Sequence, residues 1–199
     1  MSGKTYTVKL KRGIDVIASA LLLALLSPLL ALLWILIRMN LGSPVIFKQE
    51  RPGRYGVPFT MYKLRTMTDE RDSSGQLVGD SQRLTRLGRL LRSSSLDEIP
   101  ELWNVLRGDM SLVGPRPLLM RYYPYFSEEE QARFTVRPGI SGLAQIKGRN
   151  DMAWDDRIRL DLEYVKNCSP LLDPRKFAEV RHRSAFTTSP FRCSCRSSE

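Results

Sequence analysis

Residues 16–37 read VIASALLLALLSPLLALLWILI, an apolar run whose only polar side chains are Ser19 and Ser27 and whose middle is interrupted by Pro28. As a straight helix the run would reach about 33 Å, the hydrocarbon thickness of a bilayer. It is long for the apolar core of a cleavable signal peptide, and basic residues rather than a cleavage site follow Ile37. A chain built around this segment is expected to be held in a membrane.

The flanking charges then constrain topology. Lys4, Lys9, Lys11 and Arg12 precede the run, and Arg38, Lys48, Arg51 and Arg54 follow it. The positive-inside tendency pulls both ends toward the cytoplasm, which a straight span cannot satisfy. Pro28 lacks an N–H and its ring crowds the preceding turn, so it favours a kink. Ser27 can donate to a carbonyl that Pro28 leaves free, lowering the cost in lipid. The segment is expected to enter the bilayer and return to the same face.

The rest of the chain reads as one folded unit. With 199 residues there is room for a single core, and 42% hydrophobic and 26% charged residues are ordinary for a folded protein. The net charge of +10 calls for an anionic partner, for which nucleic acid, lipid headgroups and a diphosphate all qualify. Cys168, Cys193 and Cys195 are odd in number and crowded late, which excludes a disulfide framework, and His182 is the single histidine, which excludes an ordinary zinc site.

Residues 45–47 and 59–67 carry β-branched and aromatic side chains around the turn segment RPGRYG at 51–56, predicting a hairpin. Residues 69–82 read as a loop. Residues 83–92, RLTRLGRLLR, predict an amphipathic helix with Leu84, Leu87, Leu90 and Leu91 on one side and arginines on the other. Such a helix suits either a headgroup plane or an ordinary protein surface, and the neighbouring membrane segment favours the former. Further helices are expected over 97–107, 127–134 (with Ser127 and Glu130 in capping-box spacing) and 154–166. Gly114-Pro-Arg-Pro and Arg137-Pro-Gly-Ile-Ser-Gly read as stiffened loops. The fold class is mainly α with a short β-hairpin, an α+β arrangement.

Chemistry is expected near SSSLDEIPELW at 93–103. Ser95 with Glu98 fits a capping box, and Asp97 alternatively fits an N-cap; both put Asp97 and Glu98 at a helix start, where free N–H groups favour an anion. Arg116 between two prolines, Arg137 before Pro138, Lys63 on a predicted strand, Arg92 and Arg149 supply cations around this acidic pair. Such cations, or Mg²⁺, are what a carboxylate needs before it can face a diphosphate.

These segments resemble the small monotopic phosphoglycosyl transferases, the bacterial sugar transferase family that initiates glycoconjugate assembly. The resemblance is carried by KRGID at 11–15, Ser27-Pro28, FKQERPG at 47–53, YKLRTM at 62–67, SLDEIPELWNVL at 95–106, GDMSLVGPRP at 108–117 and RPGISGLAQ at 137–145. It implies a monotopic membrane protein at the cytoplasmic face of the bacterial inner membrane, with a re-entrant helix kinked at Ser27-Pro28 and interfacial amphipathic helices. It also implies transfer of a sugar 1-phosphate from a UDP-sugar to polyprenyl phosphate, with Mg²⁺ as cofactor. By similarity Asp97 is the nucleophile and a metal ligand, Glu98 completes the acidic dyad in metal or proton handling, and Lys63, Arg92, Arg116 and Arg149 contact phosphate.

On this reading residues 1–40 form the membrane helix, 41–173 the catalytic domain, and 174–199 an atypical tail. Family members usually continue beyond Asp173 with an apolar, helix-forming stretch, whereas here Pro174 opens a Ser/Arg-rich run expected to be poorly ordered. Anionic membrane lipids are expected partners and nucleic acid is not; oligomeric state and the identity of the sugar are left open. The alternative is a membrane-anchored basic binding module without catalysis.

Overall fold

The computed structural model describes residues 2–148 and 152–167. Cys168, Cys193, Cys195, His182, Arg149 and the whole tail fall outside them.

A single helix, α1 (Ser2–Leu41), contains the apolar run and continues through Pro28. The carbonyl that residue 28 would ordinarily serve is that of Ala24, and Ser27 Oγ donates to it at 2.8 Å. The predicted rescue of a freed carbonyl is therefore present. Ile17, Leu21 and Leu25 are 63–75% exposed, so the middle of α1 presents an uncovered apolar face.

Both flanks of this face are tied to the same body. Toward the N-terminus, Asp15 and Ser19 are buried. Toward the C-terminus, Leu33 and Ile37 pack with Val45, Leu64 and Leu91 in one core cluster.

The predicted hairpin forms between β1 (Ile46–Pro52) and β2 (Pro58–Leu64), antiparallel and with Phe47 opposite Lys63. The ladder runs further into the turn segment than β-propensity predicts and ends with Pro52 opposite Pro58. Tyr55 and Gly56 then turn the chain in left-handed geometry. Arg65 to Met67 leave the ladder, because the chain bends here to meet the next helix: Met67 bridges to Leu84.

The amphipathic stretch is not one helix. A short turn of helix, α2 (Asp80–Arg83), stops at Leu84, and α3 (Arg86–Ser93) starts afresh. The break comes from Thr85, whose side chain accepts from the Gly88 N–H at 2.9 Å and so acts as an N-cap. The loop expected to reach residue 82 therefore ends earlier, at α2. Leu91 is fully buried, while Leu90 is 61% exposed beside the exposed Arg86 and Arg89. A Cβ at Gly88 would overlap the Thr66 carbonyl, so glycine is what lets α3 lie this close to the strand exit.

Next, α4 (Glu101–Arg107) is shorter than predicted, because residues 96–98 form a separate 3-10 turn. Neither predicted cap forms. Ser95 adopts φ 58° and caps nothing with its side chain, and Pro100 occupies the N-cap of α4, where its missing N–H costs little. The fully buried Asn104 docks α4 on β2: its Nδ2 donates to the Thr60 carbonyl at 2.7 Å and its Oδ1 accepts from the Tyr62 N–H at 3.1 Å. At the other end, Arg12 of α1 donates to the carbonyls of Val105 at 2.6 Å and Leu106 at 3.0 Å, a cation on the C-terminal carbonyls of α4.

The segment 137–142, expected to be a loop, contributes β4 (Gly139–Ser141), which pairs in parallel with β3 (Ser111–Val113), just ahead of the expected loop at 114–117. Three-residue strands leave too little alternation to detect. Gly139 is required, since a Cβ there would overlap Gly114 of the neighbouring segment. Between them, α5 (Glu128–Gln131) carries the predicted capping box on Ser127 and Glu130. After β4 come α6 (Leu143–Gly148) and α7 (Trp154–Asn167), the latter where the sequence predicts it. Ile158, Leu160 and Tyr164 of α7 are buried, and Tyr164 Oη donates to the Val113 carbonyl at 2.8 Å.

Candidate active site

β2, the 3-10 turn, α4 and the loop after β3 converge on one charged cluster. The strand projects Lys63 so that Nζ lies 2.6 Å from Glu98 Oε1 and 3.1 Å from Glu101 Oε1. Arg116, held between Pro115 and Pro117, brings Nη2 to 2.6 Å from the same Glu98 oxygen. Its backbone is fixed as well: buried Arg133 donates to the Arg116 carbonyl at 3.0 Å and pairs with buried Asp161 at 2.6 Å.

Asp97 sits beside this knot without joining it. It is 8% exposed, its carboxylate makes no ion pair among the described residues, and it interacts with its own backbone N–H. Arg92 at the end of α3 makes no ion pair with it; its Nε donates to Thr66 Oγ1 at 3.0 Å.

The carboxyls consequently diverge. Burial raises Asp97, with Glu98 adding to the shift and the Lys63 and Arg92 charges opposing it, and the net is upward. Burial would also raise Glu98, but Arg116 and Lys63 outweigh it and hold this carboxyl below its ordinary value. Glu101 is pushed up to about 7 by burial, with Lys63 opposing and Glu98 adding. Burial disfavours charge on Arg116, yet Glu98 raises its pKa overall. Adjacent carboxyls with opposite shifts are the pattern in which two acids take different roles.

The structure thus brings together Lys63, Asp97, Glu98 and Arg116, and puts Arg92 within electrostatic reach. Arg137 is engaged elsewhere, donating through Nε to the Gly108 carbonyl at 2.8 Å. Glu101 and Thr66 are site residues that the sequence reading passes over. Glu101 was accessible to it: positions 97, 98 and 101 fall on one side of a helical turn, so three carboxyls share a face. Thr66 carried no such signal.

Among the described residues no three His, Cys, Asp or Glu side chains converge to cage a metal. Mg²⁺ commonly binds through one or two carboxylates, with substrate phosphates and water completing its shell. The unpaired Asp97 carboxylate fits that mode.

The family model described as "Bacterial sugar transferase" matches residues 6–181. The chain belongs to the bacterial sugar transferase family. The match extends the region of resemblance past Asp173. Among similar proteins, an uncharacterized sugar transferase, EpsL, of Bacillus subtilis is 54% identical over 82% of this chain and 81% of its own length. A UDP-glucose:undecaprenyl-phosphate glucose-1-phosphate transferase of Caulobacter vibrioides is 44% identical over 80% of this chain and 63% of its own. An undecaprenyl-phosphate galactose phosphotransferase of Salmonella typhimurium is 38% identical over 79% of this chain, which spans only 37% of that protein. As a member of the bacterial sugar transferases, this chain is an enzyme of the transferase class, and the reading as a binding module without catalysis is set aside.

Proposed function

We propose that this sugar transferase moves a sugar 1-phosphate from a UDP-sugar to polyprenyl phosphate through a covalent intermediate on Asp97. The reading is carried by the division of labour inside the cluster: Glu98 holds Lys63 and Arg116 in place, while Asp97 beside it stays unpaired. An Asp97 oxygen attacks the sugar-bearing phosphorus, the phosphoanhydride bond breaks, and UMP leaves with the bridging oxygen. An oxygen of polyprenyl phosphate then attacks the same phosphorus and expels the Asp97 carboxylate, giving the polyprenyl-diphosphate sugar. Lys63 and Arg116 neutralise the diphosphate and the departing UMP, Arg92 steadies charge near Asp97, and Arg149 is a further phosphate contact assigned by similarity alone. Mg²⁺, held by Asp97 and the phosphates, would supply Lewis-acid stabilisation of the developing charge.

The names of the Caulobacter and Salmonella relatives support the substrate classes, since both specify undecaprenyl phosphate and the former also UDP-glucose. The membrane arrangement follows the same line. Arg12 and Ile37 lie about 38 Å apart along an ideal helix, yet both are bound to one body, which favours a re-entrant α1 over a spanning one. The basic flanks favour the cytoplasmic face of the inner membrane. Exposed Arg86, Arg89 and Leu90 on α3 favour contact with anionic lipid.

The test is UMP release over a panel of UDP-sugars with Mg²⁺, followed by intact mass. Wild type is expected to gain a phosphosugar and Asp97→Asn to release no UMP. Near-normal turnover in Asp97→Asn removes the assignment.

A further inference from the structure

Glu101 stands at the first turn of α4, 2% exposed. Its Oε1 has no partner besides the Lys63 ammonium, 3.1 Å away. The charged groups around it come from four elements: Lys63 from β2, Glu98 from the 3-10 turn, Arg116 from the loop after β3, and Arg51 from β1. Lys63 is therefore divided between two carboxylates, with the shorter contact on Glu98 at 2.6 Å.

A diphosphate arriving at this cluster needs the same ammonium. If Lys63 turns to the phosphate, Glu98 keeps Arg116, but Glu101 is left as a buried carboxylate with no bonded counter-charge, next to added negative charge. An isolated buried carboxylate escapes that situation by taking a proton.

We propose that Glu101 takes up one proton when a nucleoside diphosphate binds, which releases Lys63 from the inner carboxylate to the diphosphate. This rests on the diphosphate-binding reading given above and adds a positioning residue to it. The proton comes from solvent, forms the O–H of the Glu101 carboxylic acid, and returns when the nucleotide leaves. The other two carboxyls are unsuited to the task. Asp97 must remain ionised to attack phosphorus, and Glu98 is held below its ordinary range by Arg116 and Lys63. Glu101, at about 7, needs little more than the arriving charge to become protonated.

The experiment is titration calorimetry with UDP and Mg²⁺ on the full chain in nanodiscs, at pH 8 in buffers of different ionisation enthalpy. That pH is above the titration of UDP's own phosphate. Wild type is expected to take up close to one proton, with affinity weakening toward about tenfold per pH unit between 8 and 9. Glu101→Gln, which keeps the shape of the protonated acid, is expected to take up none and to bind with a flat pH profile. Uptake of no proton by wild type overturns the inference without reference to any variant, and equal uptake in Glu101→Gln overturns it as well. UMP release from a UDP-sugar alongside proton-independent UDP binding would defeat this inference and leave the proposed transfer standing. Failure of UDP to bind at any pH would defeat both.

Discussion

Asp161 on α7 and Arg133 meet 2.6 Å apart with both side chains almost fully buried, and the same guanidinium nitrogen donates to the Arg116 carbonyl. A helix with no residue in the charged cluster therefore fixes the backbone that aims Arg116 at Glu98. Burial lowers the Arg133 pKa in spite of Asp161, which marks a pair whose partners depend on each other. Asp161→Asn should cost about 3 kcal/mol, because it strands a buried guanidinium. Chemical denaturation checks the stability loss, and transferase activity should fall further than stability predicts because Arg116 loses its support.

Thr66 accepts from Arg92 Nε at 3.0 Å and is the side chain that orients this arginine. Thr66→Val removes a hydrogen bond to a charged donor, an effect of about 1.5 kcal/mol or roughly tenfold in kcat/KM. Thr66→Ser keeps the hydroxyl and should retain near-wild-type kinetics. Steady-state UMP release for the two variants decides the matter; a loss in Thr66→Ser with none in Thr66→Val would mean that the methyl group, not the hydroxyl, is what counts.

Gly88→Ala puts a methyl group where the Thr66 carbonyl lies. Backbone does not yield as a flexible side chain would, so α3 must shift, at about 1–3 kcal/mol. The shift should appear as a lower melting temperature together with weakened activity, since Arg92 rides on α3.

Glu101 also links stability to pH. Its folded pKa of about 7 lies above the ordinary glutamate value of 4.5, so the folded state holds a proton that the unfolded chain gives up. The folded protein should therefore lose stability as pH rises from about 4.5 to 7, by an amount on the order of 3 kcal/mol, and level off above. Glu101→Gln should abolish this contribution and melt higher than wild type at pH 8. Thermal unfolding across pH 5–8 measures it; parallel profiles for the two proteins would show that Glu101 does not titrate in this range.

Local rules account for much of what was legible in the chain. Hydrophobic length picked out α1, β-branched and aromatic residues around a turn segment picked out the hairpin, and the spacing of Ser127 and Glu130 named a cap that forms as expected. The splitting of the amphipathic stretch at Thr85 was within reach of the same rules, since threonine before a helical run is an N-cap signal, but the leucine periodicity runs across it. The left-handed Ser95 and the 3-10 turn were not legible, because tertiary demand sets them: Glu98 is committed to Lys63 and Arg116, residues 35 and 18 positions away, rather than to its own helix start. The pairing of β3 with β4 is likewise a long-range fact with no local signature. Within the site, acidic and basic members could be named from the sequence, but not which carboxyl would be left without a counter-ion.

Arg12 on the last carbonyls of α4, with Leu33 and Ile37 inside the core, means that the hydrophobic helix cannot be cut away like a tether. Trimming residues 1–40 to obtain a water-soluble enzyme would open the core at one end and uncap the helix bearing Glu101 at the other. The apolar helix and catalytic competence are in this sense a single folding event, and any preparation that keeps the protein in water must do so by covering the greasy face instead of deleting it.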